Sequence, residues 1–190
     1  MRRRRPAVIR RLSRGNDIRD LVVPSREFFR EYAAHHPAFF AIGALRDGDI
    51  ARYFSRFTDT DDSAAFVALA GNRTVGYVTV SIKPQPAFYR IKKVGAVSGL
   101  MVHKAHRRRG IAGKLLAGTK TFLQKRGIKH VTVYTATANE AAIRFYERNG
   151  MRQLQVTLAG TVCGDQRDRV VGRTRAGTST RQGAHGRNTR

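Results

Sequence analysis

The sequence predicts a single α/β domain, and three observations lead to this prediction. Segments with strand-like apolar patterns alternate along the chain with segments whose apolar residues recur at helical spacing. Two neighbouring strand-like segments are separated by a short turn signal, which predicts an antiparallel hairpin. The length of 190 residues suits one domain with a sizeable core. The predicted order of elements is β-α-α-β-β-β-α-β-α-β-β.

The first third of the chain predicts a strand followed by two helices. Residues 7–12 form the strand, and Asn16 or Asp17 can cap a helix that is stopped by Pro37. A second helix is predicted over 47–57, where Ile and aromatic residues recur at helical spacing.

The middle of the chain predicts a β-hairpin. Residues 65–70 and 74–82 read as strands, and the turn begins at Gly71. Pro84 and Pro86 end the second strand. The remaining predicted elements are a strand over 93–102, a helix over 113–126, a strand over 130–136, a helix over 139–149, and strands over 151–159 and 169–173.

The junction over 100–116 is the most informative part of the sequence. It passes from an apolar run into a basic, glycine-containing turn and then into an amphipathic helix. Gly110 and Gly113 allow the backbone to approach a ligand, and the first turn of the helix offers N–H groups without internal partners. Arg107, Arg108 and Arg109 add positive charge, so the junction predicts an anion site.

Two nucleotide-binding motifs do not fit this junction. A Walker A loop requires four residues between its first glycine and the Gly-Lys pair, whereas Gly110 and Gly113 are too close and Leu115 follows Lys114. The dinucleotide fingerprint also fails, because the glycines at 110, 113 and 118 have the wrong spacing.

Two blocks instead resemble the GCN5-related N-acetyltransferase (GNAT) family. Arg107-x-x-Gly110-x-Ala112 resembles the acetyl-coenzyme A signature (Arg/Gln)-x-x-Gly-x-(Gly/Ala). The block from Asn139 to Met151 resembles the later N-x-x-A-x-x-(F/L)-Y-x-x-x-G-F helix of that family. The resemblance extends over roughly 94–151 with the elements in the family's order.

This resemblance implies a fold and an activity. The fold is a mixed, mostly antiparallel sheet of six to seven strands with about four helices, splayed between strands 4 and 5 where the pantetheine arm enters. The activity is transfer of an acetyl group from acetyl-CoA, as co-substrate and without a metal, to a primary amine of a small molecule or a peptide N-terminus. The amine attacks directly in a ternary complex.

The resemblance also implies the cofactor-binding residues. The main chain of Leu100, Met101 and Val102 is expected to contact the pantetheine and acetyl group. The pyrophosphate is expected to bind at the turn formed by Arg107, Arg108, Arg109, Gly110, Ile111, Ala112 and Gly113. Asn139 is expected to contact the cofactor arm, and Tyr146 is expected to lie near the thioester sulphur. Residues 100–102 are also expected to be core, and helix capping alone would explain Asn139.

Tyr146 is the predicted catalytic residue. It matches the family's tyrosine near the thioester sulphur, where a phenol of pKa about 10 is protonated at neutral pH and able to donate to the departing thiolate. The alternative is a core aromatic on the helix face that carries Ala142 and Ile143.

The general base is not evident. Some family members carry a glutamate on the strand before the signature, but that position is Ala96 here, and no carboxylate occurs between Asp62 and Glu140. The remaining candidates for the general base are waters held by Ser98, His103 or Tyr134, and the carboxylates of Glu27 and Glu31 on the first helix.

The net charge of +24 raises a second function class. Residues 1–14 contribute +7 and residues 163–190 contribute +5, so the part between them is also basic. The alternative function is therefore a basic RNA- or ribosome-associated protein that keeps the fold as a cofactor-binding regulatory module. Arginine-rich termini that are merely solvated would have the same composition.

The domain is expected to span 1–173, with a basic extension over 1–6 and a disordered tail over 174–190 that is poor in large apolar residues. No apolar run is long enough to span a bilayer, and no signal peptide follows Met1, so we expect a soluble, cytoplasmic protein without membrane contact. Its single Cys163 cannot form an internal disulfide. A monomer or a homodimer is expected.

Overall fold

A computed structural model describes residues 6–13, 16–160 and 162. The chain divides into two compact units, Met1–Arg152 and Gln153–Arg190. Every helix and strand of the described residues belongs to the first unit.

A single sheet forms the centre of the first unit. Its strands are β1 (Val8–Arg11), β2 (Ser63–Ala70), β3 (Arg73–Pro84), β4 (Lys93–Val102) and β5 (Val131–Val133). They lie side by side in chain order, antiparallel from β1 to β4, whereas β5 runs parallel to β4. The sheet is therefore mixed and mostly antiparallel, as the resemblance implies.

Helices cover both faces of this sheet. They are α1 (Asn16–Arg19), α2 (Val22–Ala33), α3 (Asp47–Ser55), α4 (Ile111–Gln124) and α5 (Glu140–Arg148), and a 3-10 turn covers Lys104–His106. Among the described residues, no helix is both long and apolar enough to cross a membrane.

The two sheet faces carry separate hydrophobic clusters. On one face, Leu115 and Leu123 of α4 pack against valines of β3 and β4 such as Val78. On the other face, Leu21 and Phe54 pack against Met101 and other inward-facing side chains. Successive residues of a strand point to opposite faces, so β3 and β4 contribute to both clusters.

The pairing of β4 changes midway along the strand. Gly95 to Val97 pair with β5, but β4 continues alone on that side to Val102. At the same point Ser98 forms a β-bulge against β3, since Gly99 pairs with Thr79 and Val97 with Val80. The parting of β4 from β5 is the splay that the resemblance implies.

Three predictions need correction. The helix predicted from Asn16 is divided into α1 and α2, because the Pro24 ring would clash with the carbonyl of residue 20 in a continuous helix. A proline is tolerated in the first turn of a new helix, so α2 begins at Val22. The strand predicted over 130–136 is shorter and covers only Val131–Val133.

The third correction concerns the strand count, which is five in the described chain rather than six to seven. Residues 151–159 contain no strand, although the sequence predicts one there and apolar Leu154, Val156 and Leu158 alternate with polar residues. These three side chains are exposed, and alternation without a pairing partner does not stabilise a strand. The strand predicted over 169–173, the tail over 174–190 and Cys163 lie outside the described residues.

The close approach of β3 and β4 at Gly76 gives a stability prediction. A Cβ on Gly76 would lie 2.7 Å from the Met101 carbonyl oxygen, a backbone atom that cannot move without disturbing the strand pair. We expect Gly76→Ala to lower the free energy of unfolding by about 1–3 kcal/mol. Denaturant unfolding measures this change.

Gly48→Ala is the matched control for Gly76→Ala. Gly48 lies in α3, and a Cβ added to it would have no atom within 4 Å, so alanine should stabilise the helix by roughly 0.5–1 kcal/mol. Equal stability of the Gly76→Ala variant and the parent would contradict the close approach.

Candidate active site

The turn after β4 is fixed by backbone geometry. His103 continues the strand pairing, since its N–H donates to the Val75 carbonyl at 2.8 Å. Arg108 and Gly110 then take positive φ values of 60° and 73°, and α4 begins at Ile111. A glycine adopts this left-handed conformation without steric cost, which explains its place at the start of the helix.

The N-terminus of α4 is suited to an anion. Its first internal hydrogen bond runs from Lys114 N to the Gly110 carbonyl at 3.1 Å, so the amides of 110–113 have no partner within the helix. The first turn holds no acidic residue and no side chain caps it. A Cβ on Gly110 or Gly113 would meet no atom within 4 Å, so there is open space beside both residues.

Two of the three predicted arginines are available at this turn. Arg108 and Arg109 are exposed and extend the positive potential of the helix end. Ile111 is buried against the cluster on the α4 face, and Ala112 packs against the same cluster. The two side chains hold the first turn of α4 on the sheet while its amides stay open.

The Arg107 side chain points elsewhere. Its Nε donates to the Val102 carbonyl at 2.8 Å, and its Nη2 donates to both carboxylate oxygens of Glu31 at 2.7 and 3.0 Å. Lys104 Nζ lies 3.3 Å from the same carboxylate. Arg107 thus joins the end of β4 to α2, and its contact with a pyrophosphate stays a prediction.

The side chains of the predicted strand residues belong to the core. Met101 is buried in the cluster on the α2 face, while Val102 is buried and Leu100 half-buried on the α4 face. Beyond Val97, the β4 edge that faces β5 has no strand partner in the described part of the chain. The groups that β4 can offer a ligand are therefore its backbone amides and carbonyls.

An aromatic surface covers β4 on the α2 face. The Phe28 ring lies 3.8 Å from a Cβ placed on Gly99, and Tyr32 stacks on Phe28 with ring centroids 5.8 Å apart. The Tyr53 hydroxyl lies 3.4 Å from Thr79 Oγ1 on the neighbouring strand. The opposite face of the sheet is occupied by α4.

The carboxylates nearest the end of β4 come from α2. Glu31 is occupied by Arg107 and Lys104, whereas the Glu27 carboxylate lies 3.6 Å from His103 Nε2. His103 Nδ1 accepts a hydrogen bond from the Ala105 N–H at 3.3 Å, which places the proton of the neutral ring on Nε2, towards Glu27. Of these two carboxylates, Glu27 is the one that is not paired with a permanent cation of the described residues.

Asn139 and Tyr146 lie on α5. Asn139 caps this helix, since its Oδ1 accepts from the Ala142 N–H at 3.1 Å. Tyr146 is buried, and its burial raises the pKa of the phenol to about 12. Lys120 Nζ donates to the Asn149 carbonyl at 3.0 Å and so holds the end of α5 against α4.

The structure thus assigns the predicted residues to two segments of the chain. Residues 100–102 and 107–113 form one continuous strand, turn and helix start, while Asn139 is the N-cap of α5 and Tyr146 lies within that helix. The ion pair of Glu31 with Arg107 is not evident from the sequence, since its partners are 76 residues apart. No group of three or more metal-ligating side chains occurs in the described residues.

A bulged and splayed strand that leads into an open helix N-terminus is an arrangement suited to an extended, anionic ligand. Residues 26–151 match the Acetyltransferase (GNAT) family, and the chain belongs to this family of acetyltransferases. The family prediction is thereby confirmed.

Relatives and solved structures agree with this assignment. N-alpha-acetyltransferase 30 of Schizosaccharomyces pombe is 35% identical over 86 residues, which are 45% of this chain and 55% of that protein. The chain therefore spans about half the length of this relative.

Two solved structures share the fold. A tetramutant of a Bacillus halodurans protein, BH1408, superposes with a TM-score of 0.70 at 17% identity, covering 82% of this chain and 99% of the other. The aminoglycoside N-acetyltransferase AAC(6')-Iy, solved with CoA, has a TM-score of 0.62 at 18% identity, with coverage of 84% and 98%.

Proposed function

We propose that the protein transfers the acetyl group of acetyl-CoA to the α-amine of a peptide N-terminus within a ternary complex. The observation that carries this proposal is the unpaired edge of β4 leading directly into the open amides of 110–113. The edge suits the amide groups of a pantetheine arm, and the helix end suits its pyrophosphate. The N-alpha-acetyltransferase match supports the acceptor class.

Electrostatics favour a peptide α-amine over a polycationic acceptor. An aminoglycoside carries several positive charges and needs several carboxylates around it. In the described residues, α2 supplies Glu27 and Glu31 near the end of β4, and Glu31 already neutralises two cations. The aromatic surface around Phe28 suits instead the apolar and backbone groups of a peptide.

The missing carboxylate at Ala96 also favours an amine of low pKa. At pH 7 a lysine of pKa about 10.4 needs roughly 4.6 kcal/mol to become neutral, whereas an α-amine near 7.8 needs only about 1 kcal/mol. We assign Glu27 as the base, acting through water, because Glu31 is engaged by Arg107 and Lys104. A base that removes the proton through a water molecule can deprotonate an α-amine more easily than a lysine, because the free-energy cost is smaller.

We assign Tyr146 to the departing sulphur. Because burial raises the pKa of Tyr146 to about 12, the phenol stays protonated over the whole physiological range. A thiolate of pKa about 8.5 is a weaker base than this phenolate, so the hydroxyl stabilises the leaving sulphur chiefly as a hydrogen-bond donor.

The cofactor assignment predicts a thermal shift. Acetyl-CoA at about 100 times its dissociation constant should stabilise the fold by roughly 2.7 kcal/mol, and Gly110→Val should abolish this shift by filling the open space beside this residue. Gly71→Val is the matched control, since Gly71 also has a positive φ and open space around it but lies in the turn between β2 and β3. Both variants carry similar backbone strain, and only the first should lose the shift. A parent protein without any shift or calorimetric binding would refute the cofactor site.

The role of Tyr146 predicts a loss of rate without a loss of cofactor affinity. Tyr146→Phe keeps the buried ring and removes only the donor, so the single-turnover rate should fall by about 10²-fold while the acetyl-CoA shift persists. Since the pKa is about 12, ionisation of Tyr146 should not reduce the parent rate between pH 8 and 10. An unchanged single-turnover rate in Tyr146→Phe would show that Tyr146 has a purely structural role.

The acceptor class predicts a difference between matched peptides. A peptide with a free N-terminus and no lysine should be acetylated faster at pH 7 than an N-blocked peptide with one lysine. Glu27→Gln should lower kcat/KM for the first peptide on the order of 10²-fold at pH 7 and by much less at pH 9, where the amine is already neutral. Glu140→Gln, at an exposed pair with Arg144, is the control. Faster acetylation of the blocked peptide, or of an aminoglycoside, would contradict this class.

A further inference from the structure

The loop between β3 and β4 exposes two aromatic side chains. Phe88 and Tyr89 are 81% and 51% exposed, and their rings lie against each other with centroids 4.8 Å apart. The loop is held in place, because Gln85 N donates to the Lys92 carbonyl at 2.8 Å and Lys92 Nζ donates to the Ala87 carbonyl at 2.6 Å. Exposed, fixed aromatic rings have a cost in water that a bound partner would remove.

Cations surround this aromatic loop. Lys83 is the second-last residue of β3, Lys93 begins β4, and Lys129 lies just before β5. The Gly95 N–H donates to the His130 carbonyl and so joins β4 to the segment before β5. All three lysines are exposed, and none forms an ion pair with an acidic side chain of the described residues. Lys83 pairs with Val94 and Lys93 pairs with Pro84, so these two side chains leave opposite faces of the sheet, and the cations are spread around this end. Arg90 and Lys92 in the loop add to these cations.

The carboxylates of this end lie on the far side of β3. The Ile82 N–H donates to the Asp62 carbonyl, and Asp61 Oδ1 lies 3.7 Å from Arg126 Nη2. Residues 63–139 contain fourteen Lys and Arg and no Asp or Glu. The cations at this end of the sheet are therefore not neutralised by carboxylates of their own segment.

We propose that this end of the sheet, defined by residues 83–93 and Lys129, binds single-stranded nucleic acid. Single strands are held by a row of cations along the phosphates and by aromatic rings on which bases stack. A flexible polyanion can follow cations that are spread around both faces of this end, whereas the plane of a lipid headgroup surface can contact only one face at a time. β4 is roughly 30 Å long, so this surface and the cofactor turn lie at opposite ends of the strand and work independently.

Fluorescence anisotropy with a labelled 12-nucleotide uridine RNA tests the proposal on the full chain. The double variant Phe88→Ala/Tyr89→Ala, and to a lesser extent Phe88→Ala alone, should weaken binding about tenfold or more with an unchanged salt dependence, because stacking is removed and charge is kept. Lys92→Gln/Lys93→Gln should instead reduce the slope of log K against log salt by about 0.7 for each phosphate that is no longer neutralised.

Matched controls separate this surface from general basicity. Arg73→Gln removes an exposed cation at the opposite end of β3, and Phe39→Ala removes an aromatic that is 63% exposed elsewhere; both should bind as the parent does. All variants should keep the acetyl-CoA shift, which confirms their fold.

Three results would overturn the proposal. In the first, the aromatic double variant binds the RNA as tightly as the parent, which would assign RNA binding to the arginine-rich termini. In the second, a 12-base-pair duplex binds as tightly as the single strand and is equally affected by the aromatic variants. In the third, the double variant loses binding to phosphatidylserine vesicles but not to RNA, which would assign the loop to a membrane surface.

Discussion

The proposed cofactor site depends on β4 losing one of its two neighbours after Val97. For three residues the strand is paired on both sides, and the sheet is then continuous to β5. Beyond the bulge at Ser98, only β3 remains, and a row of backbone groups is left at an edge inside the molecule. The turn and the open end of α4 follow at once, so an elongated ligand meets edge amides and helix amides in succession.

Charge is distributed unevenly around this site. The segment that forms β2 to β5 is rich in cations and contains no carboxylate, so acidic groups near β4 must come from α2. One of them, Glu31, pairs with Arg107 and Lys104, which ties α2 to the turn after β4. The remaining positive potential favours an anionic ligand over a multiply charged cation.

Local sequence patterns predicted most of the fold. The hairpin of β2 and β3, strand β4 and helices α3 to α5 follow from periodicity, turn residues and capping, all of which act within a few residues. The break between α1 and α2 was not predicted, because it follows from the steric clash of the Pro24 ring and not from the spacing of apolar residues. The alternation over 151–159 was misleading because a strand needs a partner as well as a pattern.

For the site, the sequence predicted the glycine turn but not the destination of the Arg107 side chain, since a contact over 76 residues leaves no local signal. The aromatic loop at Phe88 was also missed, because exposure is decided by the tertiary structure and not by the residue type.

The amides of 110–113 have a consequence for how this sequence can change. Every residue except proline carries the same N–H group, so a site made of backbone is specified by chain direction and torsion angle and hardly by side-chain identity. Side-chain identity matters instead where the path of the chain is set, as at Gly110 with its positive φ and at Gly76 under the Met101 carbonyl.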